Sequence, residues 1–245
     1  MKRITIIIPV YNEEGNIENI KSEIDRYILS SQCAVSVVFV NDGSLDGSLG
    51  LIKKICAQEG GYEYISLTKN SGLSAAIKVG IDYVQTEWVG YMDGDLQTSP
   101  LDFLKFEPFI DDFELVTGFR ENRKDSGLKI ISSSFANWFR DSLLSDGIRD
   151  SGCPLKIFKR GFAQKLPFYK GMHRFLPALT QIHGGRVKEI PVNHFPRTEG
   201  ISKFNLRNRL FHPFLDSLLV FWMKKRRIEY QIKESSRNKI LETHA

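Results

Sequence analysis

Trp88-Val89-Gly90-Tyr91-Met92-Asp93-Gly94-Asp95-Leu96-Gln97 is an apolar run that ends in two carboxylates one residue apart. Read as a buried strand, it places Asp93 and Asp95 at the carboxyl end, where open α/β sheets bind ligands. Side chains on extended backbone repeat every second residue, so the two acids are expected to aim at one point. Converging carboxylate oxygens suit a hard divalent cation that also holds substrate phosphates. Asp-Gly-Asp is also ordinary composition for a solvated turn, so its weight depends on the chain around it.

Upstream, Ile4 to Val10, Val35 to Val40 and Tyr64 to Leu67 read as strands. Helical stripes separate them: Gly15 to Leu29, carrying Ile17, Ile20, Ile24 and Ile28, then Leu49 to Ala57 and Leu73 to Val84. This alternation predicts a mostly parallel, Rossmann-like α/β sheet with helices on both faces. Downstream the pattern is less regular. Leu115 to Thr117, Leu155 to Phe158 and Val187 to Pro191 read as strands, Ile130 to Leu144 and Phe175 to Ile182 as helices. Leu210, Phe211, Phe214, Leu215, Leu218, Leu219 and Trp222 recur at helical spacing, and Lys224-Lys225-Arg226-Arg227 follows. That segment is an amphipathic helix, either packed on the core or lying in a membrane interface with its basic end on anionic headgroups.

The 245 residues are 42% hydrophobic and 26% charged, with a formal charge of +5. One sizeable α/β domain with a short appendage fits that length. No basic-aromatic repeat or nucleic-acid motif occurs, so a nucleic-acid partner is not expected. Three cysteines without metal-ligand spacing suit a reducing compartment. The apolar run after Met1-Lys2-Arg3 is too short for a signal peptide, and no stretch reaches the ~18 apolar residues of a membrane span. A cytoplasmic protein is expected. The histidines show no metal spacing, and structural or surface roles are expected for them.

Each upstream strand ends in a polar, turn-forming cluster: Pro9 to Glu14, Asn41 to Gly47, Lys69 to Ala76, and the Asp93/Asp95 pair. In a parallel sheet these converge on one crevice. There Asp42 can accept a hydrogen bond from a base N–H, and Asn70 and Gly72 let backbone approach a phosphate or ribose. Arg120, Arg123, Lys124 and Lys129 precede Ser132, Ser133 and Ser134. Cations followed by hydroxyls at a helix start suit a phosphate monoester, though a solvated basic loop has the same composition.

These pieces resemble the family 2 glycosyltransferases of GT-A fold, through Ile8 to Glu14, Val40 to Gly47, Asn70-Ser71-Gly72 and Asp93-Gly94-Asp95-Leu96-Gln97. The polyprenyl-phosphate (dolichol- or undecaprenyl-phosphate) branch is the nearer likeness. It rests on Asp95-Leu96-Gln97 with Pro100, Gly118-Phe119-Arg120, Asp150-Ser151-Gly152, His173 to Ala178, Glu189 to Val192, and Arg197 to Lys203. The resemblance implies a GT-A domain over 1–205, an amphipathic basic segment over 206–232 and a fraying tail over 233–245. It implies that Pro9, Tyr11, Glu13, Asp42, Asn70, Gly72, Asp93, Gly94 and Arg197 bind a nucleotide-sugar. Asp93, Asp95 and Gln97 would hold Mg²⁺ or Mn²⁺. Arg120, Lys129 and Ser133 would take the lipid phosphate, with Asp95, Arg120 and Lys203 carrying catalysis and Asp150 positioning substrate or Arg side chains.

The expected reaction is inverting transfer of a sugar from a UDP- or GDP-sugar to a polyprenyl phosphate. The expected setting is the cytoplasmic face of a membrane, reached peripherally or with a separate membrane protein. Transfer to a glycan hydroxyl, or a catalytically dead nucleotide-binding scaffold, stays open at this point. A nucleotidyltransferase fits less well, because Pro9 to Glu14 lacks a Gly-rich basic loop. Asn41 departs from relatives that carry a second Asp, and Thr98-Ser99 from those with His or Asp before Pro100.

Overall fold

Seven strands form one mixed sheet in the order β3-β2-β1-β4-β6-β5-β7. The computed structural model describes residues 1–121, 138–196, 206–228 and 234, with side chains of the last helix described from residue 213 on. The strands are β1 (Arg3–Val10), β2 (Ala34–Asn41), β3 (Tyr62–Ser66), β4 (Trp88–Tyr91), β5 (Leu115–Arg120), β6 (Lys156–Lys159) and β7 (Val187–Val192). Helices α1 (Ile17–Ser30), α2 (Ser48–Gln58) and α3 (Leu73–Tyr83) make the crossovers of the first half. β1 pairs in parallel with β2 and β4, β2 with β3, and β5 with β7. Among the described residues only β6 runs against its neighbours, β4 and β5.

β1 is buried at every position from Ile4 to Val10 because both faces are covered. On one face Ile4, Ile6 and Ile8 pack with Ile17, Ile20 and Ile24 of α1 and Ile52 and Ile55 of α2. On the other, Ile7, Val38 and Val40 meet Ala76, Ile77 and Ile81 of α3, together with Leu176 and Leu179 of the helix Leu176–Ile182. Each such fully buried side chain contributes roughly 1.5–3 kcal/mol. The expected α/β sheet with helices on both faces is therefore present.

Element bounds shift for identifiable reasons. β3 begins two residues before the expected Tyr64, because the Tyr62 ring stacks on Phe39 at 6.1 Å and its hydroxyl donates to Asp25 at 2.5 Å. β4 stops at Tyr91, so Asp93 and Asp95 occupy the turn beyond the strand rather than its extended end. Of the helix expected over 130–144, residues 138–144 are helical and the rest lie outside the described residues.

The helix Leu206–Lys225 buries Val220 and Ser217 against the domain, while Leu215, Leu218, Leu219 and Trp222 are exposed. Phe214 stacks on Phe139 with ring centroids 4.5 Å apart. Among the described residues no helix is long and apolar enough to cross a membrane.

Candidate active site

The sheet order reverses between β1 and β4, and the cleft opens at that switch point. Its volume is about 870 Å³, and its lining includes Pro9, Tyr11, Glu13, Asp42, Asn70, Gly72, Asp93, Gly94 and Asp95. Every one of these is a residue the sequence put forward. The four strand-end clusters therefore share one crevice.

Side-chain to backbone bonds lace the clusters together. The Asn12 carbonyl accepts from the Leu45 amide at 2.8 Å, and Glu14 accepts from the Gly47 amide at 2.9 Å. Ser48 accepts from the Glu13 amide at 2.9 Å. The Asp42 carboxylate accepts from the amides of Ser71 at 2.7 Å and Gly72 at 2.8 Å, tying the loop after β2 to the start of α3. Gly43 has φ +68, and a Cβ there would lie 2.5 Å from the Lys69 carbonyl carbon. Only glycine admits that crossing of two backbones. Asn41 is buried and donates to the Ser66 hydroxyl at 2.9 Å while accepting from the Ser44 amide at 3.2 Å. Its departure from the family pattern thus serves the turn rather than the cleft.

Asp93 and Asp95 sit over a buried layer of charge. The Tyr91 hydroxyl donates to Asp93 at 2.5 Å, and the Gln97 amide donates to Asp95 at 3.2 Å. Burial, and then the negative charge of Asp95, push the Asp93 carboxyl up to about 6. The Tyr91 hydroxyl, Lys156 and Arg120 oppose that rise. A carboxyl whose ionisation is resisted by desolvation and by a neighbouring acid matches the demand a dication would relieve. Two hard oxygen donors fit Mg²⁺ or Mn²⁺ and leave coordination positions for phosphate and water. Among the described residues no third His, Cys, Asp or Glu joins them as a ligand. Gln97 is not in the cleft lining, and its carbonyl accepts from the Phe195 amide at 2.9 Å.

Arg120, at the end of β5, is held by Asp150 through Nε at 2.6 Å, Nη2 at 2.8 Å and its backbone amide at 3.2 Å. Glu189 in turn accepts from the amides of Arg149 at 3.0 Å and Asp150 at 3.4 Å, fixing the loop that carries the carboxylate. Arg120 lies outside the cleft lining but is near enough to favour the Asp93 anion. Lys129, Ser133, Arg197 and Lys203 lie outside the described residues. The chain approaches residue 197 from Phe195, bonded to Gln97, beside the carboxylate turn.

Sequence reasoning missed three contributors. Lys156 is fully buried in β6, opposite Tyr91, and donates to the carbonyls of Cys153 and Ser151. Burial lowers the pKa of its ammonium. A lone lysine between Leu155 and Ile157 in an apolar strand was the available signal. His173 lines the cleft, with Nδ1 2.9 Å from the Ser74 hydroxyl. Burial, then Arg174 and Lys156, depress it to about 3, which keeps the ring neutral. Asp216 reaches the cleft from the last helix, and no pattern marked it.

Residues 5–173 match the family described as glycosyl transferase family 2. The chain belongs to glycosyl transferase family 2. Among its family 2 relatives, a dodecaprenyl-phosphate galacturonate synthase of Rhizobium johnstonii is 30% identical over 91% of this chain and 67% of the relative. An undecaprenyl-phosphate 4-deoxy-4-formamido-L-arabinose transferase of Salmonella choleraesuis is 30% identical over 84% of this chain and 63% of the relative. The chain thus spans about two thirds of the length of these relatives. The fold is that of a Mycobacterium tuberculosis glucosyl-3-phosphoglycerate synthase solved with Mn²⁺, UDP and glucosyl-3-phosphoglycerate. That match has a TM-score of 0.64 at 13% identity and covers 93% of this chain and 81% of the other. A Pyrobaculum calidifontis mannosyltransferase solved with GDP-Man and Mn²⁺ gives a TM-score of 0.60 at 17% identity over 93% and 65%. The GT-A architecture is therefore as expected.

Proposed function

We propose that this chain moves a sugar from a nucleotide-sugar to a polyprenyl phosphate with inversion and with a divalent cation. The observation that carries the reading is the meeting of Asp93 and Asp95 with Tyr11, Asp42 and Asn70 in one cleft. Relatives named for polyprenyl-phosphate acceptors support the acceptor class.

Asp42, Tyr11, Glu13 and Pro9 border the nucleotide, and Asn70 and Gly72 face its ribose and phosphates. Asp93 and Asp95, with Gln97 beside them, hold the cation. When bound, Mg²⁺ or Mn²⁺ supplies charge stabilisation to the leaving diphosphate. Arg120, Lys129 and Ser133 receive the acceptor phosphate, while Arg197 and Lys203 cover the anionic groups from the segment that follows Phe195. A phosphate acceptor is already ionised near pH 7, so alignment matters more than a strong base. The hydroxyl-acceptor alternative needs a base-like carboxylate near the acceptor, and activity with soluble sugar acceptors would favour it.

We read 1–205 as the transferase domain, 206–232 as an appendage and 233–245 as a tail. The exposed Leu215, Leu218, Leu219 and Trp222, followed by Lys224 to Arg227, suit peripheral contact with an anionic cytoplasmic leaflet. A separate membrane protein is a further candidate partner.

The test is a donor screen with purified chain, Mg²⁺ or Mn²⁺, and undecaprenyl or dolichyl phosphate. Glycolipid formation is expected. Transfer to soluble glycans instead, or nucleotide binding without turnover, overturns the reading.

A further inference from the structure

We infer that His173 is a further substrate-binding residue, whose Nε2–H, in a tautomer fixed by Ser74, donates to a phosphate oxygen of a substrate in the cleft. This rests on the transferase reading above and adds a residue to it. His173 sits in the 3₁₀ turn Met172–Arg174, and both it and Ser74 line the same cleft as Asp93 and Asp95.

The hydrogen bonds around Ser74 decide the tautomer. Its Oγ accepts from the amides of Gly171 at 3.2 Å and His173 at 3.5 Å, and lies 2.9 Å from His173 Nδ1. A serine hydroxyl has two lone pairs and one proton. The two amides take the lone pairs, so the proton goes to Nδ1. A neutral imidazole that accepts at Nδ1 carries its own proton on Nε2. The ring is neutral because burial, then Arg174 and Lys156, hold its pKa at about 3. The ring is half-buried, and Nε2 is neither bonded to the described residues nor enclosed by them. It is therefore a donor open to the cleft.

The surroundings select the ligand. Ser74 joins the ring to the first turn of α3, where the amides of Leu73 and Ser74 have no backbone partner, as the first N–H groups of a helix do not. Leu73 lines the cleft as well. The charges that act on the ring, Arg174 and Lys156, are both positive. A donor in that setting suits an anionic group that only accepts, and phosphate oxygens are such groups. An uncharged donor also leaves a dication at Asp93 and Asp95 unrepelled. The proposed reaction brings two sources of phosphate oxygen, the donor diphosphate and the acceptor monoester.

Long-range ¹H–¹⁵N correlation on the folded chain with labelled histidine reads the tautomer, the His173 signal being the one lost in His173→Gln. A proton on Nε2 is expected at pH 7, and the Nε2 signal should move when UDP or GDP with Mg²⁺, or undecaprenyl phosphate in detergent, is added. A proton on Nδ1, or an Nε2 signal that none of these moves, overturns the inference. Two variants name the source. The Asn amide of His173→Asn takes the place of Nδ1 and keeps the Ser74 bond, whereas the Gln amide of His173→Gln reaches the place of Nε2. His173→Asn is expected to weaken either nucleoside diphosphate or lipid phosphate roughly tenfold in calorimetric titration, and His173→Gln to stay within about threefold, as for one hydrogen bond to a charged group. Unchanged binding of both ligands by His173→Asn, or equal losses in the two variants, overturns the inference and leaves the transferase reading standing. Failure of the unaltered chain to bind any nucleotide removes both. If His173→Asn does not fold, the tautomer and the ligand-induced movement of Nε2 decide.

Discussion

The two halves of the sheet are built by different means. On the β1–β4 side, turn residues hold one another through short bonds to backbone amides, as in Asn12 with Leu45 and Asp42 with Ser71 and Gly72. On the β5–β7 side, buried charges hold one another, as in Arg120 with Asp150, with Lys156 buried near that pair, and in Arg140 with Asp146. Backbone lacing fixes a loop at modest cost if one contact is lost. A buried charge without its partner is expensive. The first side should tolerate single polar changes, and the second should not.

The strongest way to probe this contrast acts where the halves meet. Asp95→Ala is expected to lower glycolipid formation on the order of a thousandfold, about 4 kcal/mol of transition-state stabilisation, with little change in the urea midpoint. Full activity would detach the carboxylate turn from the chemistry. Asp150→Ala strands Arg120, whose side chain is 14% exposed against 9% for Asp150. A loss of about 3–5 kcal/mol in urea unfolding is expected. The double change with Arg120→Met should recover part of it, and a double loss equal to the sum of the two single losses would show that the pair is not coupled.

Gly43→Ala strains the laced side. With φ +68 and Lys69 backbone within 2.7 Å, it should cost about 1–3 kcal/mol and weaken nucleotide binding. Proton competition gives a graded effect. The Asp93 carboxyl is raised to about 6 in the fold, so metal affinity should fall about tenfold per pH unit below that point. In the metal-free chain the raised carboxyl favours the folded state below pH ~4, and that contribution is lost as pH rises through about 6. Mn²⁺ titrations at several pH values, followed by thermal shift, check both signs. The smallest effect is expected for Asn41→Asp, under 1 kcal/mol, because the Ser66 hydroxyl can turn and donate to the new carboxylate.

The same division explains what the sequence disclosed. Turn chemistry is local, so Pro9 to Glu14, Asn41 to Gly47 and Asn70 to Gly72 announced themselves at the ends of periodic strands. Their meeting followed from parallel topology alone. Buried charge on the other side is a tertiary fact. Lys156 looked like an ordinary lysine until β6 was seen to run between β4 and β5. Asp216 sits in a helix whose apolar stripe drew attention to its outer face, while Val220 and Ser217 marked the inner one only after folding. Asp150 was legible as a motif, but its clamp on Arg120 required geometry.

The single reversed strand has a practical corollary for handling the molecule. Because β6 points the other way, the segment leading into it joins the tips of β1, β4, β5 and β7 at one rim, and the opposite rim is left for connectors. Gly60, in the connector before β3, has no atom within 4 Å of where a side chain would begin. A fluorophore or surface tether grafted there should leave the cleft unobstructed, making that bend the natural handle for following the protein.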